Sequence, residues 1–391
     1  MQENNALSKF QVLLMAIAAG ASVANIYYNQ PILKEIASTF DVTENKAGTI
    51  SVLSQVGYGL GLFFITPLGD KINKKNLILT LLSLLFVTLL LMTVASNIHE
   101  VLVLSILIGI LSVSVQVILP MAASLDSVNR GKTVGTIFTG ILIGILAARV
   151  FSGFVAEWLG WRYVYGFSAM LILSITLLLK AYLPNVRNEF KGHYFQLLQS
   201  VLLQTKRFSL LREASLTGGL LFGVFCSFWT TLTFHLSGPP FYYHTNTIGL
   251  FGLVAIAGAL MAPVFGKLAD KGNANRSLLL AVSMIIFSLL LIKLMPHPVI
   301  ILVLAVLILD IGVQAMQVTN VAMIYTLDQT SYSRINTIYM TSYFIGGALG
   351  TFVGLQCWKY GGWSLVVWQM LFWSSLALGI MLKSKNKQHI R

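Results

Sequence analysis

Charged residues are scarce: Asp, Glu, Lys and Arg make up 10% of the 391 residues, against about 25% in an ordinary soluble domain. That is too little charge to coat a water-facing surface. Cysteine is nearly absent. Cys226 and Cys357 both sit inside apolar runs and offer neither a disulfide framework nor paired metal-ligand spacing. The six histidines, His99, His193, His235, His244, His297 and His389, show no His-x-x-x-His and no carboxylate partner at ligand spacing. Arg130-Gly131-Lys132-Thr133 ends like a phosphate-binding loop, but Asp126 stands where the first glycine is required. There is no Gly-x-Ser-x-Gly elbow. These absences exclude a secreted stapled domain, a disordered chain and a two-domain soluble enzyme. They imply no enzymatic activity, ATP, metal or prosthetic group.

Apolar sequence is what the chain has. Hydrophobic residues reach 56% and the mean hydropathy is +0.80. Runs long enough to cross a bilayer, about 20 residues each, number twelve: 12–28, 47–68, 77–94, 101–121, 133–158, 163–181, 214–236, 247–268, 277–295, 299–324, 335–358 and 363–382. The expected fold is therefore all-α and membrane-embedded, with twelve transmembrane helices in two six-helix bundles.

The net charge of +13 lies in the connections. With both termini cytoplasmic, the inner segments hold twenty of the 26 bases and seven of the 13 acids. The outer loops hold five of each, so the whole excess faces inward. This sets the basic side of the chain against an anionic inner leaflet and removes the need for a nucleic-acid partner. The segment ending Ala21-Ser22-Val23-Ala24 resembles a weak signal peptidase site. A single preceding Lys9 and the even span count argue against cleavage.

The longest connection, 182–213, divides the chain into an N-terminal bundle (1–185), a linker (186–213) and a C-terminal bundle (214–391). In the linker Phe190, Tyr194, Leu197, Leu198, Val201, Leu202 and Phe208 recur at helical steps, which predicts an amphipathic helix on the inner membrane surface. The bundles repeat each other. Asp70 and Asp270 are 200 residues apart, while Gly144 and Gly346, Gly160 and Gly362, and Trp161 and Trp363 each differ by 202. Six spans return the chain to its starting side, so the repeat is parallel about an axis along the membrane normal.

The loop Thr66-Pro67-Leu68-Gly69-Asp70-Lys71-Ile72-Asn73-Lys74-Lys75 is similar to motif A of the major facilitator superfamily, with Thr66 and Asn73 at two of its glycine positions. The stretches Ala24-Asn25-Ile26-Tyr27-Tyr28-Asn29-Gln30-Pro31 and Arg334-Ile335-Asn336-Thr337-Ile338-Tyr339-Met340 resemble a bacterial inner-membrane branch placed with the drug:proton antiporters. The fifth span is similar to the antiporter motif C, but Arg149 replaces its proline, and Ser105 replaces the motif B arginine. The resemblance implies alternating access and proton-coupled efflux of a small organic compound by a monomer. The alternatives are uptake or facilitated exchange of an organic anion, nutrient or metal chelate, and a non-transporting receptor built on the same fold.

Two charges stand inside spans. Asp310, about twelve residues beyond Pro298, is the only deeply placed acid, and Arg149 is the only intramembrane base. Keeping either ionised in hydrocarbon costs several kcal/mol without water or a partner. They are the candidate proton-coupling residues, as a pair across the bundles or, for Arg149, as an anion site. Structural hydrogen bonds are the alternative for both. Gln314, Gln317 and Asn320 continue the polar stripe from Asp310. Asn25, Tyr28, Asn29, Gln55, Tyr58, Gln116, Trp229, Asn336, Tyr339 and Tyr343 complete a candidate solute site of amides and aromatics. Asp70, Lys71, Lys74, Lys75, Asp270 and Lys271 are candidate gating residues, since a carboxylate at a helix end can bond a neighbouring helix N-terminus or an arginine. A solvated basic turn is the alternative. Small residues at four-residue steps, Gly140, Gly144, Ala148 and Ser152, Gly346, Gly350 and Gly354, and Gly57 and Gly61, predict close helix crossings, as sliding surfaces between the bundles or as tight static packing.

Overall fold

The structure is a computed structural model that describes residues 7–126, 129–185, 193–254, 274–295, 298–328 and 331–389. Helix α1 (Lys9–Tyr27) starts on Ser8, whose Oγ accepts from the Gln11 amide at 3.2 Å while Gln11 Oε1 accepts from the Ser8 amide at 2.9 Å. This reciprocal cap satisfies two N–H groups that a helix start leaves free. The helix breaks after Tyr27, because Pro31 has no N–H to return to the carbonyl four residues earlier, and resumes as α2 (Asn29–Thr39). Side-chain caps from Thr43, Asn73 and Asn97 begin α3 (Glu44–Phe64), α5 (Lys74–Val94) and α6 (Ile98–Leu111). A single turn, α4 (Leu68–Lys71), lies between α3 and α5. There follow α7 (Ser114–Leu125), α8 (Arg130–Leu159), α9 (Trp161–Tyr182), α10 (Tyr194–Arg207), α11 (Ser209–Ser237), α12 (Thr245–Val254), α13 (Ala274–Leu294), α14 (Val299–Ile324) and α15 (Tyr332–His389).

Among the described residues ten helical segments are long and apolar enough to cross a membrane. The last contains two of the predicted runs, joined through Gly362 at φ 59°. The eighth run begins in α12, and its remainder lies outside the described residues. The fourth is α6 and α7, interrupted at Ser112 and Val113. Among the described residues the fold is all-helical, arranged as the two pseudosymmetric bundles expected of the twelve predicted runs, and large apolar side chains such as Val103, Met170 and Phe372 face outward where lipid would lie.

The repeat is visible in the backbone. Gly160 at φ 98° turns α8 into α9, and Gly362, 202 residues later, takes positive φ at the equivalent junction, a conformation L side chains avoid. A Cβ added at Gly144 would lie 2.2 Å from the Gly20 carbonyl oxygen, and one at Gly346 would lie 2.2 Å from that of Gly219. Thus α1 meets α8 as α11 meets the first part of α15.

These contacts correct one expectation. Gly140 and Gly144 pack α8 on α1, Gly57 and Gly61 pack α3 on α6, and Gly346, Gly350 and Gly354 pack α15 on α11. Each row faces a neighbouring helix of its own bundle, where backbone-to-backbone approach fixes the helices rather than letting halves slide. Between the bundles the close approach is instead Gly153 against Gly249, with a Cβ at Gly249 2.7 Å from the Arg149 carbonyl oxygen.

Hydrogen bonds between the bundles gather at the end remote from Asp70. Lys34 Nζ donates to the Ser237 carbonyl at 2.6 Å, Asn45 Nδ2 to that of Leu355 at 2.9 Å, Trp358 Nε1 to Glu44 Oε2 at 2.8 Å, and the Thr245 amide to Glu157 Oε2 at 3.0 Å. Charged acceptors and helix-end carbonyls make these among the stronger bonds available. They close that end. At the other end the linker helix α10 contributes a Tyr194 hydroxyl bond to the Phe64 carbonyl, and Arg207 pairs with Asp328 at 2.7 Å.

Candidate transport site

The break before Pro31 turns Gln30 inward, where its Oε1 accepts from Arg149 Nε at 2.8 Å. One residue type and one helix defect thereby anchor the intramembrane base. The Arg149 guanidinium, 1% exposed, lies over the Trp229 ring at 4.1 Å, with Tyr27 at 5.2 Å and Phe225 at 5.7 Å. Desolvated cation–π contacts of this kind contribute about 2 kcal/mol. Neither terminal nitrogen, NH1 or NH2, has a hydrogen-bond partner.

Asp310, 3% exposed on α14, lies within electrostatic reach of Arg149 and of Trp229. No hydrogen bond joins Asp310 to the arginine, and Asp310 Oδ2 and Trp229 Nε1 are likewise unpartnered. The two charges sequence analysis singled out are therefore brought together from opposite bundles, about the middle of their helices, with an aromatic ring beside them. Their separation leaves three donors and one acceptor, all buried, without protein partners. A buried polar group left so costs about 1–3 kcal/mol, more when charged, which marks the cluster as a place built for something other than packing.

Around this centre the structure gathers much of the predicted set. Gln55 Nε2 donates to Thr351 Oγ1 at 3.3 Å across the bundles, so Thr351, the repeat counterpart of Arg149, also reaches the opposite half. Gln116 Nε2 donates to the Tyr58 hydroxyl at 3.1 Å, and the Tyr58 ring meets Phe344 at 4.2 Å. Tyr343 stacks on Phe222 at 3.9 Å and donates to Gln317 Oε1 at 3.3 Å. Asn320 bonds Met316 Sδ at 3.1 Å, beside Tyr339. Gln116, Gln314, Gln317 and Asn336 are only half-buried although they lie within spans, the exposure expected of a polar cavity wall.

Three predicted members are placed elsewhere. Asn25 Oδ1 accepts from Ser168 Oγ at 2.8 Å, and Asn29 Oδ1 from Ser51 Oγ at 2.5 Å. Asn25 Nδ2 also donates to the Ala21 carbonyl and Asn29 Nδ2 to that of Ile26. Tyr28 packs on Phe151 at 5.8 Å. These side chains bond the first bundle together, because the stretch around the α1–α2 break that carries them meets α3, α8 and α9 instead of the cluster.

Of the candidate gate, Asp70 on α4 feels the charges of Lys74 and of Arg334 on α15. Lys71 is exposed and Lys75 half-exposed. Asp270 and Lys271 lie outside the described residues. Sequence reasoning missed Gln30, Tyr27, Phe225 and Arg334. For Gln30 a signal existed, an amide directly before a helix-breaking proline; for the two rings nothing in an apolar run distinguishes them from core.

Two bundles of six apolar helices enclosing a buried polar cluster define a membrane transporter, and the comparisons agree. Residues 15–351 match the Major Facilitator Superfamily, and the chain belongs to that family. It is 39% identical over 363 residues to "Uncharacterized transporter YgaY" of Escherichia coli O157:H7, covering 92% of each chain. It is 28% identical over 382 residues to "Probable transporter SCO4007" of Streptomyces coelicolor, covering 96% of this chain and 89% of that one. Among solved structures, a bacterial homologue of the human lysosomal transporter Spinster, in an inward-facing and occupied conformation, superposes with a TM-score of 0.77 at 12% identity over 96% of both chains.

Proposed function

We propose that this protein is a proton-coupled secondary transporter that carries a small organic compound by rocking its two bundles about the Arg149–Asp310 cluster. The observation that carries this reading is the unpaired, buried carboxylate of Asp310 facing an arginine of the other bundle. Such a group can bind and release a proton as the cavity faces each side. Under the same reading 1–185 and 214–391 move as bodies joined by 186–213, and both termini and the Asp70 end are cytoplasmic. The bonds that Lys34, Glu44, Asn45 and Glu157 make then form the outer gate, closed here.

Export in exchange for protons is the direction that the motif resemblance favours. A second reading, movement of an organic anion together with a proton, is favoured by the free guanidinium edge of Arg149. A thermal-stability screen identifies the solute, because a ligand of the folded state must stabilise it. Flux in proteoliposomes under an imposed pH gradient then separates the readings. Outward, pH-driven movement supports exchange, and inward movement with protons supports the second. Binding without flux leaves a receptor and refutes the transport role.

A further inference from the structure

We propose that the solute carries a carboxylate, held by the NH1 and NH2 edge of Arg149, and that it binds together with a proton taken up by Asp310. The proposal rests on the transport reading above and names its solute class.

The guanidinium is oriented before any ligand arrives. Gln30 Oε1 holds Nε at 2.8 Å, and the Trp229 face lies 4.1 Å from the guanidinium carbon. What remains unbonded is the outer edge, NH1 and NH2, whose two parallel N–H groups match the two oxygens of a carboxylate. Trp229 Nε1, buried beside Asp310, is a further donor at the margin of this edge. The rings of Tyr27 and Phe225 beside the arginine supply apolar surface for the body of the solute. At the arginine edge an ammonium would meet only donors and a buried positive charge, and a neutral amide would forgo the charge-assisted bonds.

Charge balance then ties the proton to the solute. In the free protein Asp310 compensates Arg149 through space. The other titratable groups facing the arginine are Tyr27 on α1 and Cys226 on α11, with Tyr58 on α3 and Tyr343 on α15 next to Tyr27, all types that are neutral at pH 7 by their ordinary values. A second carboxylate entering this site leaves one buried negative charge in excess unless Asp310 takes a proton. Protonation of Asp310 alone strands the arginine. The two events therefore favour each other, which selects the second reading above, cotransport of anion and proton, over exchange.

The test uses the purified full-length protein and matched probes: phenylacetate, phenylacetamide and phenethylamine, with hexanoate as an aliphatic acid. Expected is a rise in melting temperature with at least one of the acids and with neither the amide nor the amine. Arg149→Gln should weaken acid binding at least tenfold, and the uncharged pair Arg149→Gln/Asp310→Asn guards against a folding defect in the single variant. Calorimetric titration in two buffers of different ionisation enthalpy should find a proton taken up with each acid bound. Equal response to all probes, preference for amide or amine, no response to either acid, or binding without proton uptake each overturns the proposal. Acid binding with proton uptake but no flux would refute transport and leave this assignment standing; flux of a neutral or cationic solute would do the reverse.

Discussion

Arg149 and Asp310 can be separated energetically by a double-mutant cycle. Each is almost fully buried, and each is the other's countercharge. Removing one partner of such a pair costs about 3–5 kcal/mol, because the survivor is stranded in a low dielectric. Arg149→Met and Asp310→Asn should each show that loss. In the double variant no charge remains, and the residual defect is the Gln30 oxygen that has lost Arg149 Nε, about 1–3 kcal/mol. The double variant is therefore expected to be more stable than either single one, with a coupling of several kcal/mol. Unfolding by sodium dodecyl sulfate in mixed micelles, followed through the seven tryptophans, measures all four corners. Additive losses would refute the reasoning, as would a neutral Asp310→Asn, which would mean that the carboxyl is not the countercharge of Arg149.

Glycine to alanine at Gly144 or Gly346 places a Cβ 2.2 Å from a facing carbonyl oxygen in both cases, so each should destabilise by about 1–3 kcal/mol and by similar amounts; in the same micelle titration, a loss at one site only would contradict the equivalence of the two crossings. Trp358→Phe removes the bond to Glu44 and should increase the rate at which a membrane-impermeant thiol reagent labels half-buried Cys357 severalfold, with fully buried Cys226 as the slow reference; an unchanged rate removes this bond from the gate. Burial raises the Glu35 carboxyl above its ordinary value, opposed by the Trp161 amide it accepts at 3.0 Å. A raised carboxyl favours the folded state below its unfolded value and loses that contribution as pH rises through the folded one. Glu35→Gln, which keeps an acceptor oxygen, should therefore be the more stable protein at pH 7 and converge with the parent as pH falls below the ordinary glutamate range. Thermal melting across pH checks the sign, and a gap that widens on acidification refutes it.

Much of the fold was legible because hydrocarbon imposes a simple rule: every spanning segment must be apolar and satisfy its own backbone. The twelve runs, the parallel repeat and the unusual status of Arg149 and Asp310 follow from that rule alone. Individual contacts were less legible. Asn25 and Asn29 have the same composition signature as Gln55 and Gln116, yet the first two bond Ser168 and Ser51 within one bundle while the others reach Thr351 and Tyr58 at the centre. A polar residue on an apolar helix announces that it needs a partner but not which neighbour provides one. The glycine rows announce close crossings in the same way, and helix packing places them inside the bundles.

The sequence by itself determined the solvent, the apolar runs that cross it, the duplication and the two intramembrane charges on which the proposed mechanism turns, since these depend on transfer of residues from water to lipid and on nothing distant in the chain. Only the tertiary structure decided that Arg149 is held by Gln30 and Trp229 with its outer edge free, that Asp310 is its countercharge without touching it, and that the bundles are bonded at the end remote from Asp70. Those are relations between residues at least 80 positions apart, fixed by how the helices pack, and no local pattern carries them.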